Sequence, residues 1–241
     1  VVVGLEGNKL VDMCKAIQKC RKIKVLNFSE NQLETIPKEV FKIPGIQHLK
    51  ANHNMLLTLP PGMCYAVHMR ELDLSFNRLK ELPADLGNLY SMSYLNLDHN
   101  MIKALPQSIK YCTALQQLFV NENKLSSLPA EMKRLKLLRE LHMRNNNLVV
   151  LPPELKSLTA LTALSVEGNP FLTLPSVVAE MPGLEFLGAN APQFAAVNNE
   201  EDRTPEATVL FEATFSTVKM HKLPRHVALD GVGRMGGYLD R

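Results

Sequence analysis

The residues best suited to chemistry in this 241-residue chain are two histidines, His53 and His99, and two aspartates, Asp73 and Asp98. Two imidazoles can begin a zinc site if both ring nitrogens reach to about 2.0–2.1 Å from the metal. Two carboxylates can hydrolyse a glycosidic bond if about 5–10 Å separates them. Whether either pair can meet depends on the structural elements that carry these residues.

A glycine-rich stretch near the end of the sequence is a third candidate. Gly231-x-Gly233-x-x-Gly236 matches the dinucleotide-binding fingerprint literally. That fingerprint needs a preceding strand, a following helix and an acidic residue about 20 residues further on. Arg241 is the last residue of the sequence, so we expect no dinucleotide site and no cofactor here.

The chain is built on a repeat of 23 residues that is marked by asparagine. The members of this asparagine column are Asn8, Asn31, Asn54, Asn77, Asn100, Asn123, Asn146 and Asn169. A fixed period of this length indicates stacked units, each of which buries its apolar residues only against its neighbours.

Within each unit the pattern changes from a strand to a turn to a short helix. The alternation of Leu72 and Leu74 predicts a short strand with both leucines pointing inward. The step Leu82-Pro83 then ends the strand, because proline lacks a backbone donor. Apolar residues that follow at every third position predict a 3₁₀-like return segment. The asparagine amide can donate and accept, so we expect it to satisfy backbone groups in the turn.

The consensus Leu-x-x-Leu-x-Leu-x-x-Asn-x-Leu-x-x-Leu-Pro resembles the leucine-rich repeat in its typical 23-residue class. The Leu-Pro step is similar to the intracellular Ras-group subclass, which includes Ras-pathway scaffold proteins. The resemblance implies an α/β solenoid, a curved horseshoe with a parallel sheet on its concave face. Short 3₁₀ or irregular helical segments would line the convex side.

The repeat pattern divides the chain into two predicted regions. Residues 1–191 form a leucine-rich repeat array of about eight repeats, and residues 192–241 form a non-repeat C-terminal extension. We expect the N-terminal cap to be missing, because the sequence begins inside a strand and Cys14 replaces the first Leu-Pro proline. The extension contains an acidic stretch, Glu200-Glu201-Asp202, and is expected to pack on the array or on a partner.

The repeat keeps the candidate catalytic and metal-binding residues apart. His53 and His99 lie two repeats from each other, about 10 Å at ~4.8 Å per strand, too far for both to bind one zinc ion. Asp73 and Asp98 lie diagonally, roughly 8 Å apart, on a surface that nothing encloses. We therefore predict no catalytic residues, no metal site and no small-molecule substrate, and interpret the protein as a non-enzyme.

Composition limits the compartment and the class of partner. A net charge of +3 gives no argument for nucleic acid, and the sequence has no apolar run of about 18 residues that would span a membrane. Cys20 and Cys112 fall in an otherwise apolar column and are expected to be buried. We expect an intracellular, cytoplasmic protein, although the sequence leaves organellar import open because it does not begin with methionine.

Side chains that point away from the core remain as candidates for binding. Tyr94 and Phe119 lie on neighbouring strands and are expected to form one aromatic patch, with Phe76 near its edge. Exposed aromatics flanked by arginine and histidine are typical of binding hot spots. The predicted partner-binding residues of the concave face are Asp73, Phe76, Tyr94, Asp98, Phe119, His142 and Arg144.

Three functions are compatible with the sequence. The first is a non-catalytic protein–protein interaction scaffold or adaptor that uses its concave face. The second is a structural subunit of a large multiprotein complex, anchored by the C-terminal extension. The third is the recognition module of a larger enzyme. The aromatic residues of the concave face have two alternatives to partner binding: the C-terminal extension covers them, or they have no role.

Overall fold

The structure is a computed structural model that describes residues 1–190 and 226–230. Its strands form one open, entirely parallel sheet in which sequence order is spatial order. The strands are β1 (Val2–Gly4), β2 (Val25–Asn27), β3 (His48–Lys50), β4 (Glu71–Asp73), β5 (Tyr94–Asn96), β6 (Gln117–Phe119), β7 (Glu140–His142), β8 (Ala163–Ser165), β9 (Phe186–Asn190) and β10 (His226–Asp230). Equivalent repeat positions pair, as Leu72 does with Leu95, which confirms the predicted strands and their register.

The return segments are short 3₁₀ helices, and the part of the chain that the structure describes has no α-helix. The helices are Lys15–Lys19, Val40–Lys42, Met63–Tyr65, Leu86–Asn88, Gln107–Tyr111, Ala130–Arg134, Pro153–Ser157 and Ser176–Glu180. Prolines of the Leu-Pro step stand directly before several of them: Pro106 is extended, with φ −69° and ψ 145°. Proline thus turns the chain out of the sheet direction and into the return helix, as predicted.

The core is the set of leucines that the repeat places inward. Leu72, Leu74, Leu95 and Leu97 are completely buried, and burying one such side chain stabilises the fold by about 1.5–3 kcal/mol. Burial falls at the start of the chain, where the first 3₁₀ helix contains no buried residue.

The two column cysteines differ in burial. Cys112 is buried, as predicted, but Cys20 is exposed. The prediction for Cys20 was wrong because its repeat packs against a neighbour on only one side. The other residues of the column are buried: Ile43, Ala66, Leu89, Leu135, Leu158 and Met181.

The asparagine column ties successive repeats together. The side-chain nitrogen of Asn77 donates to the carbonyls of Leu74, at 3.0 Å, Ser75, at 3.1 Å, and Ala51 of the previous repeat, at 3.0 Å. Its Oδ1 accepts a 2.9 Å hydrogen bond from the backbone of Leu56, also in the previous repeat. The predicted role of the amide in satisfying turn backbone is confirmed.

Residues 226–230 contribute the last strand of the sheet. β10 pairs in parallel with β9, and its register places Val227 opposite Leu187 and Leu229 opposite Ala189. The acidic stretch 200–202 and the glycine motif 231–236 lie outside the described residues. Among the residues that the structure describes, no helix has the length and apolar character needed to cross a bilayer.

Candidate functional site

The candidate site is the surface of the sheet opposite the buried leucines, here called the sheet face. It consists of the side chains six, four, two and one residues before each member of the asparagine column, here called the ladder asparagines. Before Asn77 these residues are Glu71, Asp73, Ser75 and Phe76. Side chains alternate between the two faces of a strand, and the intervening leucines are buried, so the positions six, four and two before the asparagine are on the side away from the core. The residue directly before the asparagine follows in the turn, where a positive φ breaks the alternation, and Phe76 at this position is 42% exposed.

Three rings form a cluster across β5, β6 and β7, here called the strand cluster. The ring centroids of Tyr94 and Phe119 are 5.5 Å apart, and those of Phe119 and His142 are 4.9 Å apart with nearly parallel planes. The His142 ring is held in place by Ser165 Oγ, 2.9 Å from Nδ1, and by Glu140 Oε2, 3.5 Å from Nε2. The contact expected between Tyr94 and Phe119 is therefore present, and His142 extends it.

A second set of rings lies beside the ladder asparagines, here called the turn stack. The ring centroid of Phe76 is 4.1 Å from that of His53 and 4.1 Å from that of His99, with interplanar angles of 10° and 16°. Phe76 thus fills the space between the two histidines that were considered as metal ligands. The imidazole faces contact an aromatic ring, and no group of three or more histidine, cysteine or acidic side chains among the described residues could hold a metal ion.

An unusual backbone conformation aligns the turn stack. His53, Phe76 and His99 have φ angles of 54°, 53° and 54°, in the left-handed region that few non-glycine residues adopt. The same column is occupied by glycine at Gly7 and Gly168, both with φ 67°. Since every repeat makes the same turn, successive side chains leave the backbone in the same direction and stack.

The two candidate carboxylates have separate partners. Asp98 accepts hydrogen bonds from the backbone nitrogen of Asn121, at 2.6 Å, and from its side-chain nitrogen, at 3.0 Å. Asp73 accepts from the backbone and the hydroxyl of Ser75, at 3.0 and 2.7 Å. Burial is the main cause that raises the pKa of Asp98, and the hydrogen bonds from Asn121 oppose it. Each carboxylate is oriented by its own neighbour.

Tyr94 has an acidic environment. Burial is the main cause that raises its pKa, and the nearby carboxylates of Asp73, Asp98 and Glu71 raise it further, while a hydrogen bond with Asn96 lowers it. A carboxylate disfavours the negatively charged phenolate. The tyrosine hydroxyl therefore stays protonated and is surrounded by negative charge.

The structure brings some of the predicted site residues together and separates others. Tyr94, Phe119 and His142 are in contact. Arg144 is linked to Asp98 through Asn121, whose Oδ1 accepts a 2.9 Å hydrogen bond from the Arg144 backbone. Phe76 was expected at the edge of the Tyr94–Phe119 patch and instead belongs to the turn stack.

Ser75 and Asn121, each two residues before an asparagine of the column, belong to the sheet face but are shielded from solvent. They are only 4% and 8% exposed, because their side chains lie along the sheet and bond to neighbouring polar groups. Sequence reasoning also missed the stacking of His53 and His99. The glycines at Gly7 and Gly168 were an available signal, since glycine marks positions of positive φ.

Comparison with known proteins agrees with the repeat architecture. Family profiles described as leucine rich repeat match residues 67–125 and 137–158. Over 61 residues, 24% of this chain, the sequence is 34% identical to the volume-regulated anion channel subunit LRRC8E of Xenopus tropicalis, of which the match covers 8%.

Solved structures share the fold over most of the described array. A leucine-rich repeat protein of Leptospira interrogans is 29% identical with a TM-score of 0.78, and the match covers 94% of this chain and 53% of that one. The plant peptide hormone receptor RGFR1 in complex with RGF2 is 28% identical with a TM-score of 0.68, over 74% of this chain and 30% of that one. The functional domain of InlJ from Listeria monocytogenes, 22% identical with a TM-score of 0.67 over 78% and 39%, shares the fold. This chain spans about half or less of each.

Proposed function

Because the chain is a leucine-rich repeat protein, we propose that it is a non-catalytic scaffold or adaptor that binds a protein partner through its sheet face. The observation that supports this most directly is the strand cluster, three rings in contact on a surface that no other described element covers. Aromatic side chains with neighbouring polar groups are the usual centre of a protein interface.

The side chains of the strand cluster already have neighbours within the chain that orient them. His142 is fixed by Ser165 and Glu140, and Phe119 lies between His142 and Tyr94. Side chains that are already ordered lose less conformational entropy on association. When a partner contacts Tyr94 and Phe119, a smaller part of the interaction free energy would therefore be offset by the ordering of these side chains.

We propose that the contact comprises Asp73, Phe76, Tyr94, Asp98, Phe119, His142 and Arg144. The strand cluster lies six and four residues before the ladder asparagines and the turn stack lies one residue before them, so a partner that spans the sheet face would contact both. A related solenoid, the plant receptor RGFR1, is described in complex with RGF2, which supports ligand binding by this architecture. Fold alone does not specify a partner, so these side chains would determine which protein binds.

The experiment compares two double variants by cross-linking mass spectrometry in cell extract. We expect Tyr94→Ala/Phe119→Ala to lose the partner that the unaltered protein captures. The matched control, Tyr90→Ala/Tyr111→Ala, removes two exposed tyrosines on the side of the molecule that carries the 3₁₀ return helices, here called the return side. This control variant should keep the partner. Retention of every partner by the first variant would contradict the proposal.

A structural subunit held through the C-terminal extension is the second candidate. It is favoured by β10, since residues of the proposed extension, 192–241, join the sheet of the proposed array, 1–191. If deletion of residues 193–241 removes all partners while Tyr94→Ala/Phe119→Ala keeps them, the subunit function replaces the scaffold function. A chain with both regions intact serves as the reference.

A recognition module of a larger enzyme is the third candidate. It is supported by length, because the matched regions cover only 53% of the Leptospira protein and 8% of the channel subunit. The full transcript tests it: a reading frame that begins shortly before Val1 and stops at Arg241 would eliminate this candidate.

We further propose membership of the intracellular Ras-group subclass and a cytoplasmic location. The Leu-Pro step supports the subclass, and its prolines directly precede return helices, as Pro129 and Pro152 do. The partner would then be a cytosolic protein, with no nucleic acid and no small-molecule substrate. Fractionation of cells that express the native protein tests the location, and recovery in an organelle would contradict it.

A further inference from the structure

The sheet face has a charge opposite to that of the whole chain. Counting the four face positions of each repeat from Asn8 to Asn169, eight residues are acidic and two are basic, a net charge of −6 with histidine neutral. The whole chain has a net charge of +3. The acidic residues are Glu6, Glu30, Glu71, Asp73, Asp98, Glu122, Glu140 and Glu167, and the basic residues are Lys50 and Arg144.

The negative charge is concentrated next to the strand cluster. Glu71, Asp73 and Asp98 all act on the hydroxyl of Tyr94, and Glu140 lies beside His142, with 3.5 Å between Oε2 and Nε2. In the described part of the chain, no salt bridge joins a carboxylate of this face to lysine or arginine. Within residues 1–190 and 226–230, these carboxylates are therefore not neutralised by an ion pair with lysine or arginine.

We infer that the partner bound by the sheet face presents a basic surface, with arginine or lysine side chains that dock on Tyr94 and Phe119 and pair with Asp73 and Asp98. This inference rests on the proposed function and names the chemistry of the partner. A guanidinium group suits the site, because it stacks on an aromatic ring and pairs with carboxylates through its planar set of donors.

Charge complementarity distinguishes this partner from the alternatives. The net charge of +3 for the whole chain does not select a partner, whereas the negative local charge of the sheet face favours a basic one. An acidic peptide would place its carboxylates against Asp73, Asp98 and Glu71, where like charges repel. A purely apolar partner would bury these carboxylates without a counter-charge, which is costly.

The first test uses two synthetic probe peptides of equal length, one alternating glycine and arginine and one alternating glycine and glutamate. Each is titrated into the ¹⁵N-labelled full chain and followed by amide chemical shifts. We expect the arginine peptide to shift amides of β4 to β7, and to bind more weakly in high salt because exposed charges are screened. Equal binding of the glutamate peptide, or shifts confined to the return side, would overturn the inference.

Matched variants distinguish binding of the peptide at the sheet face from a general attraction between the peptide and the charges of the whole chain. Asp73→Asn/Asp98→Asn should weaken binding of the arginine peptide about tenfold, as expected from loss of two partly exposed charge pairs. Glu131→Gln/Glu154→Gln removes the same charge from the return side and should leave the affinity unchanged. Phe119→Leu keeps apolar volume but removes the ring, and should weaken binding about threefold. Equal losses in the aspartate and glutamate double variants would overturn the inference.

A photoreactive amino acid in place of Gln117, on β6, identifies which residues of the native partner touch the face. A cross-linked segment rich in arginine or lysine supports the inference. An acidic or uncharged segment overturns the inference but leaves the proposed function intact. If a partner is captured from other positions and never from Gln117, the proposed function fails as well.

Discussion

The side-chain nitrogen of Asn100 donates a 3.0 Å hydrogen bond to the carbonyl of Leu74, which belongs to the preceding repeat. The same nitrogen donates to Leu97 and Asp98, and Oδ1 accepts from the backbone of Leu79. Asn100→Ala leaves the buried N–H of Leu79 without its acceptor, and it removes one of the donors to each of the three carbonyls. We expect a loss of roughly 1–3 kcal/mol in the free energy of unfolding, measured by urea denaturation.

A matched asparagine controls for the effect of the amide itself. Asn147 is exposed and lies in the next repeat but one. Asn147→Ala should change the free energy of unfolding by no more than about 0.5 kcal/mol. If both alanine variants unfold at the urea concentration of the unaltered protein, the asparagine ladder does not stabilise the array.

Truncation of an inward leucine tests the packing of the core. Leu97 is 0% exposed, and Leu97→Ala should cost about 2–5 kcal/mol because it leaves a cavity between repeats. Leu172 is 93% exposed, and Leu172→Ala makes the same chemical change without a cavity. The melting temperatures of the two variants are measured by thermal denaturation. Equal melting temperatures would contradict the assignment of Leu97 to the core.

The main features of the fold follow from a few repeated residues. The alternation of Leu72 and Leu74 predicts a strand whose leucines face inward. Asn77 predicts the turn after that strand, and Pro83 predicts that the chain then runs away from the sheet. Each has a strong local cause, and repetition every 23 residues removes the ambiguity that one copy would leave. The parallel register and the 3₁₀ returns were predictable for this reason.

The arrangement of the sheet face was predictable only in part. The contact of Tyr94 with Phe119 follows from register, because strand neighbours and their diagonals are close. The stacking of Phe76 between His53 and His99 depends on a positive φ, which phenylalanine and histidine do not signal. Burial of Asn121 depends on its bonds to both neighbouring strands, and these exist only once the sheet has formed.

The left-handed turn at Phe76 predicts that replacement by glycine destabilises the protein less than replacement by alanine, the reverse of the usual order. Both Phe76→Gly and Phe76→Ala remove the stacked ring, but only alanine retains a Cβ at φ 53°, a conformation that costs roughly 1–2 kcal/mol. We expect Phe76→Gly to be more stable than Phe76→Ala by about 1 kcal/mol in urea denaturation.

The control for this comparison is Lys50, an exposed residue of β3. Lys50→Ala should be more stable than Lys50→Gly, because glycine loses more backbone entropy in a strand. Should glycine also be the less stable replacement at Phe76, the left-handed turn would not be a source of strain.

Titration of Asp98 predicts how stability changes with pH. Burial raises its folded-state pKa above the ordinary value of 3.8, so the folded protein holds this proton more tightly than the unfolded chain does. The resulting stabilisation is complete below the ordinary value and is lost as pH rises through the raised folded value. Asp98→Asn removes this titration. The stability of the variant relative to the unaltered protein should therefore rise with pH across that window and stay level above it. Urea denaturation at a series of pH values measures this, and a relative stability that falls across the window would show that the carboxylate is favoured by folding.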